Sequence, residues 1–205
     1  MNGQALNDLN TEILQGRGLD ITDFLIRANM AKDWFEGERN WRKLVKIDTS
    51  KTSLSSDTYA TSKALPTDFR TTLPRRTLKL VSGSTKIEYT EMPYEDFVMD
   101  RDVAGNYAID HFNNVYYLAG TVTQTYTHYF PYIATSPDIT ASTEWIFPDW
   151  CHPALAYEVA AMVELGEDYD DINARNANAN HQVAALILKR AIKWDDSLQR
   201  SALGV

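Results

Sequence analysis

The sequence is poor in cysteine, in long apolar runs and in positive charge. Its single cysteine, Cys151, excludes an internal disulfide and suits a reducing compartment. There is no run of about 18 apolar residues, so we expect no membrane span. The opening "MNGQALNDLN" is neither basic nor apolar, so we expect no signal peptide. The 20 Lys and Arg residues stand against 28 Asp and Glu, a net charge of −8, which disfavours a protein that grips nucleic acid through its phosphates.

Groups that carry catalysis or bind metals are also few. Cys151 is followed by His152, but no third residue is evident to orient them as a nucleophile and its base. The acidic stretch "GEDYDD", residues 166–171, lacks the spacing of a calcium loop and indicates a helix N-terminus. No glycine-rich phosphate loop is present. No histidine lies three or four residues from another, so the histidines do not show the spacing of zinc ligands. Together, these observations predict a protein that is not an enzyme and that has no metal or cofactor. The histidines are His111, His128, His152 and His181.

Amphipathic helices are predicted at both ends of the chain. In "DITDFLIRANMAKDWFEGERNWRKLVK" apolar residues recur at helical spacing, and Asp20 or Thr22 can cap the start. Near the other end Pro153 begins one helix and Gly166 ends it. A longer helix is predicted over 172–198. Both apolar stripes need a partner, so we expect these helices to pack together.

Residues 65–133 are rich in β-branched and aromatic residues. "RTLKLVSG" and "STKIEYTEM" predict a hairpin with Ser-Gly at 82–83 in its turn. "PYEDFVMDRD" predicts a short helical turn, and Asn-Asn at 113–114 marks a second hairpin. The alternation of "TVTQTYTHYF" predicts one long strand over 121–130.

These patterns predict an α+β fold, with a helical bundle from the N- and C-terminal helices and an inserted antiparallel β-rich region. A Ser/Thr-rich stretch between the helices and the β block predicts an extended connector. The predicted segments are N-terminal helices at 1–47, the connector at 48–64, the β region at 65–133, and a loop with the C-terminal helices at 134–205.

The order of these segments resembles a known family. Helices with spaced tryptophans are followed by "ALPTDFR", by the tyrosine-rich "YYLAGTVTQTYTHYFPYI", by "WIFPDW", and by "ALAYEVAA" leading into the last two helices. Over nearly the whole chain this resembles the head–tail connector adaptors of tailed bacteriophages, also called head-completion, gatekeeper or tail tubular proteins. None of the shared motifs is catalytic. The long Ser/Thr connector and "NARNANAN" are less typical of that family.

The resemblance implies a structural virion protein at the head–tail junction, assembled in the host cytoplasm. It implies a homo-oligomeric ring, commonly of twelve copies, which docks beneath the portal protein, presents a platform to the tail nozzle or other tail proteins, and lets DNA pass without specific binding. The aromatic strand residues then become candidates for a subunit or tail interface, and the apolar C-terminal residues candidates for docking to the portal. The interface candidates are Tyr116, Tyr126, Tyr129, Phe130 and Tyr132, and the docking candidates are Trp194, Leu198, Leu203 and Val205.

Two other classes of function remain open at this point. Aromatic-rich β-sheets bind sugars, so the chain could be a carbohydrate-binding or baseplate or tail-fibre module. In that case its aromatic side chains should form a row facing solvent. It could instead be an enzyme, in which case carboxylates, or His111 and His128, should converge in a pocket.

Overall fold

A computed structural model describes residues 1–74, 76–166 and 171–203, without the side chains of residues 171 and 199–203. The chain divides into two compact units. One contains Met1–Lys43 and Ser136–Val205, and the other contains Leu44–Thr135. No helix in the described part of the chain is long and apolar enough to cross a membrane.

The first unit is helical. Asn2 caps its first helix by accepting from the Ala5 N–H. Asp20 caps the second by accepting from the N–H groups of Thr22 and Asp23, so Asp20 and not Thr22 is the cap among the two predicted candidates. Pro153 begins the third helix and Gly166 ends it, as the sequence predicts. The helices of this unit are α1 (Gly3–Ile13), α2 (Ile21–Gly37), α4 (Pro153–Gly166) and α5 (Asp171–Leu203).

Helix α4 is the centre of this unit. It packs against α1, α2 and α5 and has buried residues around most of its circumference, including Leu155 and Val159. Its many buried alanines allow neighbouring helices to approach closely. Beside it, Phe35 and Trp41 stack at 5.2 Å, and Trp145 and Phe147 meet them edge-on. Burial of these large rings supplies much of the apolar area removed from water in this unit.

The second unit is a sheet of nine strands in the order β1-β9-β5-β6-β7-β8-β3, with β2 and β4 also paired to β9. β9 is the central strand, since its residues Thr127 and Tyr132 each pair with strands on both sides. A short helix, α3 (Tyr94–Asp100), connects β6 to β7. The strands are β1 (Val45–Asp48), β2 (Thr52–Ser53), β3 (Ser62–Ala64), β4 (Phe69–Thr72), β5 (Leu78–Ser82), β6 (Thr85–Glu91), β7 (Asn106–Asp110), β8 (Val115–Leu118) and β9 (Tyr126–Ala134).

The sheet curls on itself. Three strands separate β8 from β9 in the strand order, yet the ring of Tyr116 on β8 stacks on Phe130 of β9, with centroids 5.0 Å apart and planes at 2°. Tyr107 on β7 meets the same Phe130 ring edge-on at 6.0 Å. Contacts between such distant strands require a sheet bent around its inner face, as in half of a barrel.

The predicted fold class is wrong. The sheet is mixed and not antiparallel, because β6, α3 and β7 form a β–α–β unit whose strands run parallel, with Thr90 opposite Asn106. The predicted N-terminal helices are also too long, because α2 ends at Gly37. The β-branched residues Val45 and Ile47 pair with β9 instead of extending a helix. The protein is therefore mixed α/β, a curled sheet with the long helices at the C-terminus, and not a helical bundle with an inserted β region.

The predicted strand over 121–130 starts five residues and ends four residues before β9 does. Gly120 adopts a positive φ of 79°, where a Cβ would meet Ala104 at 2.8 Å, and the chain turns there. The Val122 N–H then donates to the Asp57 carbonyl outside any strand ladder. The alternation is nevertheless real, since in β9 residues Tyr126, Phe130 and Tyr132 face the core. Within the predicted connector, 48–64, the structure has β2 and β3.

Both predicted hairpins are confirmed. β5 and β6 pair from Ser82 opposite Thr85 to Leu78 opposite Tyr89, and Gly83 takes the left-handed conformation at the turn. In the β7–β8 hairpin Asn114 has a φ of 54°, as the turn chemistry of asparagine predicts.

Candidate functional site

Four of the five predicted interface residues lie inside the sheet unit. Tyr116, Tyr126, Phe130 and Tyr132 are all buried in its core cluster. The Tyr132 hydroxyl donates to Asp68 at 2.8 Å, so even its polar end is satisfied within the unit. Their burial corrects the sequence-based assignment, because a folded subunit does not present these side chains to a partner. Inward-facing tyrosines are core residues here.

Tyr129 is the exception and it lies on the outer face of the sheet, 41% exposed. It stands opposite Lys79 in the β5–β9 ladder, and next to it Pro131 stands opposite Ile47 in the β1–β9 ladder. Ile47 is 60% exposed. These residues line a groove of 590 Å³ on the sheet, which we call the outer groove. Its lining residues are Ile47, Leu73, Arg76, Thr77, Lys79, Glu88, Tyr129 and Pro131.

The outer groove has an apolar floor and charged residues beside it. Lys79 and Glu88 face each other across β5 and β6 and form an ion pair at 2.9 Å. The hydrogen bond from Lys79 holds the pKa of the Glu88 carboxyl below its ordinary value, so this carboxyl is ionised at neutral pH. An apolar floor with charged neighbours is the composition of a protein-binding surface. Its described lining residues include no hydroxyl–imidazole or paired-carboxylate set that could carry acid–base chemistry.

A polar cluster lies on the inner face of the same sheet. The Tyr116 hydroxyl and Nδ1 of His128 are 2.6 Å apart, and His128 is fully buried. Burial lowers the pKa of His128 to about 4, with nearby Lys63 lowering it further while Asp57 opposes the shift. His128 is therefore a neutral imidazole at pH 7. Among the described residues, its Nε2 and the buried Ser53 hydroxyl have no hydrogen-bond partner.

Asp57 bonds to both sides of the segment that joins β2 to β3. It forms an ion pair with Lys63 at 2.6 Å and accepts from the Leu54 N–H at 3.0 Å. Burial raises the pKa of the Asp57 carboxyl, but these hydrogen bonds together lower it more, so the carboxyl stays ionised. The ion pair links Lys63 on β3 to Asp57 in the segment that joins β2 to β3.

The remaining histidines and the cysteine do not join this cluster. His111 is exposed and lies beside Phe69, with ring centroids 6.2 Å apart. His181 pairs with Glu158 at 2.8 Å in the helical unit. In that unit Cys151 is buried, and burial raises the pKa of its thiol to about 12, so it is not a thiolate nucleophile at neutral pH. Within the described residues, no three His, Cys, Asp or Glu side chains come together in a metal-binding group.

Among the residues that the structure describes, the exposed aromatic side chains do not form the solvent-facing row that sugar binding requires. Along β9 only Tyr129 is exposed, while Phe130 stacks between Tyr116 and Tyr132 inside the sheet. Tyr94, 38% exposed, lies on α3 and packs with Phe97. Isolated exposed rings on separate elements do not make a stacking platform for a saccharide chain.

Three of the four predicted docking residues, Trp194, Leu198 and Leu203, lie on α5. Trp194 is half-buried and meets Trp150 edge-on at 6.1 Å, so part of its ring belongs to the helical unit. Leu198 is 38% exposed. The side chain of Leu203 and the whole of Val205 lie outside the described residues.

Sequence reasoning missed most of the outer groove. Ile47, Leu73 and Pro131 line it, but Ile47 was assigned to a helix and Pro131 to the end of the β block. The available signal was "LVKID", a short run with β-branched residues after the breaker Gly37, which is typical of a strand. No protein-family model matches the chain, and no curated protein matches it.

Proposed function

We propose that this chain is a structural virion protein of a tailed bacteriophage, an adaptor that joins the portal to the tail and extends the DNA channel. The observation that carries the proposal is the outer groove, a surface with exposed apolar side chains at Tyr129 and Ile47. The order of sequence motifs, which resembles that of the connector adaptors, supports the same assignment.

The groove suits a contact between neighbouring copies. Ile47 and Tyr129 are large apolar side chains that remain more than one-third exposed, and their burial by a partner would be favourable by about 25 cal/mol per Å². Lys79 and Glu88 at the margin would orient the partner more than they would strengthen binding. Repeated head-to-tail, a contact of this kind closes into a ring, which in the connector adaptors commonly has twelve copies.

In this function DNA passes through the ring without specific binding. The chain carries a net charge of −8, so a ring of its copies has a large negative charge overall. A channel that is acidic or neutral lets packaged DNA slide, whereas clustered Lys and Arg would hold it by releasing counterions. Tight binding of the purified protein to duplex DNA at physiological salt would contradict this part of the proposal.

The test is assembly of the purified protein, alone and mixed with the portal protein of the same genome, viewed by negative-stain electron microscopy. We expect rings, and rings attached to portals in the mixture. Tyr129→Ser should abolish them while the far-ultraviolet circular dichroism is unchanged. Tyr94→Ser is the matched control, because Tyr94 is equally exposed in the same unit but lies outside the groove. A wild-type protein that stays monomeric and does not bind the portal protein would refute the adaptor function.

A further inference from the structure

The sheet has an open strand edge at the start of β6. Along Thr85–Tyr89, β6 pairs with β5, but pairing with β7 begins only at Thr90. Among the described residues, no strand pairs with the other side of β6 before that point. Residues Thr85–Glu88 are all exposed. An open edge of this kind is a template for another strand.

The backbone groups that face this edge follow from the hairpin. Ser82 and Thr85 flank a two-residue turn, so they form a hydrogen-bonded pair, and alternation then directs the N–H and C=O of Ile87 toward β5. The groups of Lys86 and Glu88 therefore point away from β5. The contacts further along agree, since the next residue of this parity, Thr90, donates its N–H to the Gly105 carbonyl at 2.9 Å on the β7 side.

The side chains at the edge alternate in the same way. Ile87 stands opposite buried Leu80, so it lies on the inner face of the sheet. Together with Tyr89 and Val122 it lines a pocket of 290 Å³. Lys86 and Glu88 lie on the outer face, with opposite charges two residues apart. The edge thus presents one apolar side chain between a cation and an anion.

We propose that this edge binds the same edge of a second copy, antiparallel, with Ile87 of one copy opposite Ile87 of the other. In this register Lys86 of each copy stands opposite Glu88 of the other, and both residues direct their backbone groups at the partner strand. Two hydrogen-bonded pairs form, each with a favourable cross-strand ion pair on the outer face. Burial of the two isoleucines on the inner face adds an apolar contact.

The charges also disfavour the other registers. Pairing centred on Lys86 would place two lysines opposite each other, and pairing centred on Glu88 would do the same with two glutamates, and like charges directly opposite are destabilising. The self-complementary register is thus the one that the alternation of charge selects. A two-fold contact of this type closes after two copies. It cannot build a ring, so it is independent of the proposed adaptor function.

The test is sedimentation equilibrium of the purified full chain over a range of concentrations. We expect a weak monomer–dimer equilibrium, because the contact is small. Lys86→Glu and Glu88→Lys should each raise the dissociation constant by about tenfold or more, since both ion pairs become repulsive. The double variant Lys86→Glu/Glu88→Lys should restore dimers. A mixture of the two single variants should form heterodimers, because each then meets opposite charges.

Lys189→Glu is the matched control, since Lys189 is an exposed lysine on α5 and its replacement changes the net charge equally without touching the edge. Circular dichroism checks that every variant is folded. A protein that is monomeric at all concentrations would overturn the proposal, as would a dimer that neither single variant weakens. Failure of the mixed variants to associate would overturn the proposed register. The Lys86→Glu result does not bear on ring formation with the portal, which the Tyr129 variant tests, because Lys86 is not among the residues that line the outer groove.

Discussion

The hydroxyl oxygen of Tyr116 lies 2.6 Å from Nδ1 of His128, and both residues are fully buried. Their strands, β8 and β9, are not neighbours in the sheet, so this hydrogen bond crosses the interior of the curl. Its direction follows the imidazole tautomer. The contact between β8 and β9 therefore depends on the protonation state of His128.

The first prediction concerns pH. Because burial lowers the pKa of His128 from 6.5 to about 4, the unfolded chain takes up a proton in this range while the folded protein does not. The stabilisation by neutral His128 is therefore complete above about pH 6.5 and is lost as the pH falls toward 4. The loss is about 3 kcal/mol at most. Urea unfolding at a series of pH values measures it.

His128→Gln is the comparison for this measurement, since it keeps a polar side chain without a titratable group. We expect its free energy of unfolding to fall less between pH 6.5 and pH 4 than that of the wild type. The ionised carboxyls of Asp57 and Asp68, whose pKa values are lowered, lose their stabilisation at still lower pH. Equal slopes in the two proteins would show that His128 does not titrate differently on folding.

The second prediction concerns the partner of His128. Tyr116→Phe keeps the ring that stacks on Phe130 but leaves Nδ1 of His128 without its hydrogen bond in a site where Nε2 already has none. A buried polar atom without a partner costs about 1–3 kcal/mol, so we expect that loss in the free energy of unfolding. Tyr129→Phe removes an exposed hydroxyl from the same sheet and should change stability by about 0.5 kcal/mol or less. Equal effects would contradict the importance of the bond.

The third prediction concerns a buried carboxylate in the helical unit. Glu36 on α2 accepts from the indole N–H of Trp145 at 2.8 Å and from the N–H of Ser136 at 3.2 Å, and the Ser136 hydroxyl also donates to it. Glu36→Ala leaves these donors buried and opens a cavity, so we expect a loss of about 3 kcal/mol or more. Tryptophan fluorescence during urea unfolding measures it. Glu38→Ala, at the exposed end of the same helix, should be nearly neutral, and an equally mild Glu36→Ala would disprove the network.

The fourth prediction tests portal docking through α5. Leu198→Asp places a charge on a side chain that is 38% exposed, so it should weaken attachment to the portal without unfolding the subunit. Leu186→Asp is the matched control on the same helix, because Leu186 is also exposed but was not assigned to docking. Cosedimentation of each variant with portal protein gives the result. If both variants bind as the wild type does, docking does not use the C-terminal part of α5.

Sequence reasoning succeeded where neighbours along the chain decide the structure. The Asp20 cap, the limits of α4 and the left-handed Asn114 all depend on hydrogen bonds or backbone sterics within a few residues. The β5–β6 hairpin is of the same kind, since its turn specifies its register.

Sequence reasoning failed where distant residues decide. The alternation around Tyr126 was visible, but which partners it pairs with is settled by β1, β2, β4 and β5, which lie far away in the chain. Likewise "LVKID" carries only a short strand signal, and these residues form a strand because β9 is available to pair with them. Tertiary contacts therefore decide whether these residues form a strand.

Contacts between near neighbours in the chain are enough to specify the local elements: the helix caps and ends, the two turns and the alternating aromatic strand. Long-range contacts are needed to make β6 and β7 run parallel, to curl the sheet, and to turn Tyr129 outward while Phe130 faces inward. Alternation assigns residues to two faces, but it does not say which face is covered. The cover comes from strands such as β8, whose contact with β9 exists only after the sheet has closed.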